Sequence, residues 1–358
     1  MLAGNPHSYK RQRARAVLFL LLALVLTTML SACGDGDDAA GANQPSGDVT
    51  LVVGAYSVAK DALSDLLPAF EAYWQKKTGQ SVTFQESYEA SGTQARAIVG
   101  GFEADVTLLA MYGDMEKLVK AKLVEPDWNR NAAEGMVTRS IVVLGTREGN
   151  PLGIRTFDDL RREDVKVLYP NPKTSGGAQW DINAIYGAGL KRSEKEQGAP
   201  DPAFAKRYLA DIHRNIESMD KSGRASMAAF EYGVGDVIVT YENELLARKA
   251  QGVNYDIVIP DSTILIENPA AVVARNADKH GVREVADAFI DYLQSEEAQR
   301  TFARHGFRPM NEAVAAEFAG QFPEPAELFD IEYLGGWDNV RETLYSKRGI
   351  WYQVLAGQ

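Results

Sequence analysis

A single cysteine, Cys33, stands in 358 residues. That excludes an internal disulfide and any cysteine-built zinc site. Histidine is scarce too: His7, His213, His280 and His305 are scattered, with no metal-ligand spacing and no pattern suggesting a serine-histidine-aspartate triad. A surplus of cations is missing as well. Lys and Arg number 38 against 49 Asp and Glu, a formal net charge of −11. Such a surface argues against nucleic-acid binding, which needs a basic face. It leaves small anions open, because outer charge is screened within about 8–10 Å at moderate salt while a buried site sees its nearest donors. Phosphate-binding loops are lacking. Gly233-Val234-Gly235 begins like a dinucleotide fingerprint, but Ile238 takes the third glycine's place and a strand follows. There is no P-loop lysine motif and no internal repeat.

Only one long apolar run occurs. Residues 1–15 carry Lys10, Arg11, Arg13 and Arg15 and no acid, Ala16 to Leu30 is almost wholly apolar, and Leu30-Ser31-Ala32-Cys33 follows. The run is shorter than the roughly 20 residues of a membrane span and suits the apolar core of a signal peptide. Small residues directly before the sole cysteine resemble the bacterial lipobox, which implies cleavage before Cys33 and acylation of its thiol. An uncleaved helical anchor is the alternative, and either puts the body outside the inner membrane. Residues 34–48 are small, polar and acidic and read as a flexible tether. Loss of residues 1–32 removes four cations and takes the net charge from −11 to −15.

Beyond Val49 strands and amphipathic helices alternate, which predicts α/β lobes with mainly parallel sheets. Strands are expected at 49–54, 81–86, 105–110, 141–145, 165–170, 236–241 and 270–274. Leu63, Leu66, Leu67, Phe70 and Trp74 recur at helical spacing until Gly79, and residues 281–305 read as one long helix ending at Gly306. At this length the chain can hold two packed lobes. Lobe I is assigned to 48–138 and 256–358, and lobe II to 139–255.

Four junctions carry serine, glycine or both where a strand or turn gives way to a helix: Tyr56-Ser57, Ser91-Gly92-Thr93, Thr174-Ser175-Gly176-Gly177, and Ser222-Gly223-Arg224-Ala225-Ser226. The first turn of a helix leaves backbone N–H groups unpaired, and the macrodipole adds about half a positive charge there. Glycine admits an anion close to that backbone and serine adds a hydroxyl donor. Any one such serine, taken alone, reads as an ordinary N-cap, favoured there for stability. Four of them spread over both halves of the chain point to a shared anionic ligand.

The segment Tyr169-Pro170-Asn171-Pro172-Lys173-Thr174-Ser175-Gly176-Gly177-Ala178-Gln179-Trp180 closely resembles the periplasmic sulfate/thiosulfate-binding proteins of ABC importers. The likeness extends through Gly92–Asp105, through 233–244 (GVGDVIVTYENE), through Phe307-Arg308-Pro309 and through Gly335-Gly336-Trp337. The resemblance implies a type II periplasmic-binding-protein fold, two α/β lobes on a hinge that close on a dehydrated oxyanion, with no catalysis and no cofactor. It implies hydroxyl donors at Ser91 and Ser175, backbone N–H donors at Ser57, Gly176, Gly177 and Gly223, and a side-chain donor at Tyr241. The chain departs from the family at Ser57, where aspartate is usual, at Gly223, where alanine is usual, and at Tyr241, where tryptophan is usual. A phenol can accept as well as donate, which an indole cannot. Tyr88-Glu89-Ala90 replaces a His-Gly-Gly loop; Glu89 reads as a solvated loop residue, and the alternative is a zwitterionic aminosulfonate or aminophosphonate ligand whose ammonium it would pair.

The expected function is therefore a lipid-anchored, monomeric receptor in the periplasm or at the cell surface. It would capture sulfate or thiosulfate and present it to an ABC importer permease, with another oxyanion as the alternative. An exported ester hydrolase is the alternative from another class, and the sequence offers it no metal cluster and no nucleophile with a histidine base.

Overall fold

A computed structural model describes residues 47–358. The signal peptide, Cys33 and most of the tether expected above lie outside the described residues. Each parallel strand is followed by a helix whose apolar stripe covers the sheet. In the first part β1 (Val49–Tyr56), β2 (Val82–Glu89) and β3 (Val106–Leu108) alternate with α1 (Lys60–Thr78), α2 (Ser91–Val99) and α3 (Tyr112–Lys120). In α1 the expected apolar positions Leu63, Leu66, Leu67, Phe70 and Trp74 are all buried, and Gly79 ends the helix with φ 77°. That left-handed conformation is cheap only for glycine.

The chain then runs through β4 (Met136–Arg147), β5 (Val167–Leu168), α4 (Gly176–Gln197), α5 (Pro202–His213), β6 (Ile216–Ser218), α6 (Gly223–Glu231), β7 (Val237–Tyr241), α7 (Glu242–Ala250) and β8 (Tyr255–Val258). It returns along β9 (Ser262–Val272) into α8 (Ala274–His280), α9 (Arg283–Leu293), α10 (Glu296–Arg304) and α11 (Glu312–Glu317). The end of the chain holds β10 (Glu327–Phe329), α12 (Gly336–Thr343) and α13 (Ile350–Leu355).

The strand order is β2-β1-β3-β9-β4-β7-β5-β6, with β10 beside β9 and β8 beside β4. Two half-sheets share the long strands β4 and β9, which pair antiparallel over Met136–Ile141 and Leu265–Pro269. In the first half β1 is parallel to both β2 and β3. In the second, β5 is parallel to β6 and β7. Antiparallel pairing enters only through β4, β8 and β9 among these strands.

One expectation needs correction. The single helix over 281–305 is two, because the Ser295 side chain accepts from Ala298 N and starts α10 afresh. The chain returns to the first half-sheet along β9, after β8 has paired with the outer half of β4. Residues assigned to lobe I at the C-terminus also pack on the second half. Trp337 meets Trp180 edge-on at 4.8 Å, and Trp351 packs on Tyr169 and His213. These aromatic surfaces on α4, β5 and α5 would otherwise stay wet.

Candidate functional site

The parallel strands of both half-sheets aim their C-terminal ends at one cavity, where ligands bind in open α/β sheets. Tyr56 closes β1, and Ser57–Ala59 turns straight into α1. Ala90 is extended and α2 begins at Ser91. Ser175 caps α4, its side chain accepting from Ala178 N, and Ser222 caps α6 by accepting from Ala225 N. Both capping serines also stand on the wall of that cavity. Tyr241 ends β7 and α7 starts at the next residue.

Ser57, Ser91, Ser175, Gly177, Gly223 and Tyr241 line one cavity of about 20 Å³, together with Tyr56, Asp181, Thr240 and Glu244. Gly176 is not on the wall. A Cβ there would come within 3.1 Å of Ala110 Cβ and Asp114 Oδ2 and 3.2 Å of Met111 Cγ, so Gly176 lets α4 press against the opposite half. Glu89 is also outside: it is exposed at the last position of β2 and absent from the cavity wall. This placement accords with Glu89 as a solvated residue at the end of β2.

Contacts across the cleft hold the halves together. Trp180 Nε1 donates to Ala110 O at 2.7 Å, and Asn268 Nδ2 donates to the same carbonyl at 2.9 Å. Arg96 Nη1 reaches Lys173 O at 3.3 Å, Arg224 Nη2 lies 3.0 Å from Asp61 Oδ2, and Arg341 Nη1 lies 2.7 Å from Glu116 Oε2. Ser91 Oγ accepts from Ala110 N at 2.9 Å and donates to Asp114 Oδ2 at 2.6 Å. Asp114 in turn pairs with Lys117 at 2.6 Å.

Residues 51–308 match the family described as bacterial extracellular solute-binding protein. The chain belongs to this family. It is 39% identical to a sulfate-binding protein of Synechocystis over 94% of this chain and 96% of that one. It is 33% identical to a thiosulfate-binding protein of Pseudomonas aeruginosa, over 84% of this chain and 91% of the relative. The sulfate-binding protein SubI from Mycobacterium tuberculosis superposes with a TM-score of 0.77 at 35% identity, covering 83% of this chain and all of SubI. The periplasmic binding protein P5PA shares the fold, with a TM-score of 0.58 at 18% identity over 86% of this chain and 98% of its own.

Sequence reasoning missed the two acidic wall residues of this solute-binding protein, Asp181 and Glu244. Both were within reach of helical spacing. Asp181 follows Gly177 by four positions on α4, and Glu244 lies in the first turn of α7 after Tyr241. Burial pushes the Asp181 carboxyl well above the usual carboxylate range, with Glu244 adding to the effect. Burial likewise pushes Glu244 up to about 7, against the pull of Arg224. The Tyr241 phenol is also raised by burial, then by its acidic and phenolic neighbours.

Proposed function

We propose that this chain is an extracytoplasmic receptor that captures sulfate or thiosulfate and delivers it to an ABC importer by closure of two lobes about β4 and β9. One observation carries the reading: serine and glycine from four helix starts, two on each side of the cleft, line a single small cavity. Neutral donors of this kind grip a fully ionised anion without a counter-cation, each charge-assisted hydrogen bond contributing about 1.5–3 kcal/mol. The sulfate- and thiosulfate-binding relatives support the same ligand class. Ser57, Gly177 and Gly223 would donate through backbone N–H groups, and Ser175, Ser91 and Tyr241 through hydroxyls, while Gly176 lets the two halves close. For Ser91 the ligand competes with Asp114 for the proton.

Binding selects the closed form because only there do both sets of donors face the ion. In this reading the protein turns over no substrate, works as a monomer, and is held at the membrane by acylated Cys33. No helix among the described residues is long and apolar enough to cross a membrane. Calorimetric titration of the full chain with sulfate, thiosulfate and phosphate tests the ligand. Tight sulfate or thiosulfate binding is expected, and heat from neither sinks the reading. A chromogenic sulfate or phosphate ester should remain intact.

A further inference from the structure

The cavity wall holds more acid than an anion site can tolerate in ionised form. Asp181 Oδ1, both carboxyl oxygens of Glu244 and the phenol oxygens of Tyr56 and Tyr241 are buried without a hydrogen-bond partner, and all four residues line the cavity. A Cβ on Gly223 would lie 3.2 Å from Glu244 Oε2, and one on Gly177 would lie 3.6 Å from Tyr241 Oη. The unpartnered atoms therefore stand directly beside the backbone donors that would grip the ligand.

The neighbouring charges do not balance two carboxylates. Asp181 is faced by Glu244, Tyr169, Tyr241 and Tyr345, none of them a cation. Glu244 has Arg224 Nε 3.3 Å from its Oε1, but Arg224 is also paired with Asp61. Arg248 is engaged with Glu231, and Asp114 with Lys117. A buried ionised carboxylate with no partner costs several kcal/mol, and a dianion alongside raises that cost. The protonated form removes the charge and supplies an O–H donor that an oxyanion can use.

We infer that Asp181 and Glu244 form a proton-loaded wall of the anion site, both carboxyls being neutral in the complex, so that capture of a fully ionised oxyanion takes up protons. The inference rests on the oxyanion reading above. No group is oxidised or reduced: solvent supplies the proton, which stays on the carboxyl oxygen as its O–H donates to the ligand. Arg224 and the Ser175–Gly177 turn can hold the anion in place, but they cannot relieve the repulsion from an ionised Glu244. Where the empty site is already protonated, affinity is independent of pH. Above that point each linked proton weakens binding by up to about tenfold per pH unit.

The test is sulfate titration of the full chain between about pH 6 and 9, each pH repeated in two buffers of different ionisation enthalpy to count protons. The expected result is level affinity up to about pH 7, then a fall towards tenfold per unit, with proton uptake on binding. Glu244→Gln should move the onset of that fall upward, and Glu244→Gln with Asp181→Asn should level it. Wild-type affinity that is constant over the range, with no proton uptake, overturns the inference whether or not the variants fold. Sulfate binding of that kind would leave the receptor reading intact. No heat from sulfate or thiosulfate at any pH would overturn both.

Discussion

The indole of Trp180, on α4, donates to the carbonyl of Ala110, at the end of β3, across 2.7 Å. The bond joins two parts of the chain 70 positions apart. Both groups are buried, and Asn268 on the connecting strand β9 donates to the same oxygen. The bond therefore exists only when the halves meet, and breaking the closed form exposes both partners to water. Trp180→Phe keeps an aromatic ring and removes the donor. It should weaken sulfate binding by about 1 kcal/mol, roughly fivefold, and also cost about 1–3 kcal/mol of stability because the smaller ring leaves space beside Trp337. Calorimetry beside chemical denaturation separates the two effects.

Gly176 permits the same approach by having no side chain. Its absent Cβ would sit within 3.2 Å of three atoms on the opposite segment. Gly176→Ala should oppose closure, costing about 1–3 kcal/mol and at least tenfold in affinity. The radius of gyration with saturating sulfate, measured by small-angle scattering, should be larger for this variant. An unchanged affinity would show that the segments part easily.

Stability should depend on pH through Glu244. Burial lifts its folded value to about 7, above the ordinary carboxyl value of 4.5. The folded state then binds the proton more tightly, so stability falls as pH rises from about 4.5 to 7, and the loss is complete above that. Glu244→Gln removes the penalty. In sulfate-free buffer near pH 8 it should gain up to about 3 kcal/mol over the wild type, a difference that vanishes near pH 4. Urea denaturation at both pH values measures it.

Glu89, exposed and outside the cavity, should be indifferent. Glu89→Ala is expected to bind sulfate within about twofold of the wild type, since a solvated charge beyond the wall is screened. A tenfold change in a calorimetric titration would return this residue to the site.

Much of the architecture was legible in residue order. The apolar spacing of α1, its stop at Gly79 and the alternation of strand and helix follow from local periodicity and backbone preference, which no distant contact had to supply. The break at Ser295 was missed although the apolar face shifts there, Ala298 and Phe302 falling out of phase with Phe289 and Leu293, because the cap hydrogen bond that restarts the helix leaves little trace in residue order. The position of β8 and the docking of Trp351 on Tyr169 depend on which surfaces remain uncovered after the sheet has formed.

The site divides the same way. The sequence by itself determined the serine and glycine helix starts at Ser57, Ser91, Ser175 and Ser222-Gly223, because a cap and a close backbone approach are set within a few neighbouring residues. Tertiary structure alone decided that Gly177 faces the cavity while Gly176 faces Ala110 and Asp114, that Glu89 stays outside, and that Asp181 and Glu244 come in. Those outcomes turn on how closely two halves joined by β4 and β9 approach each other. A carboxyl's protonation depends on the water and charge excluded by that approach, and no stretch of local sequence contains it.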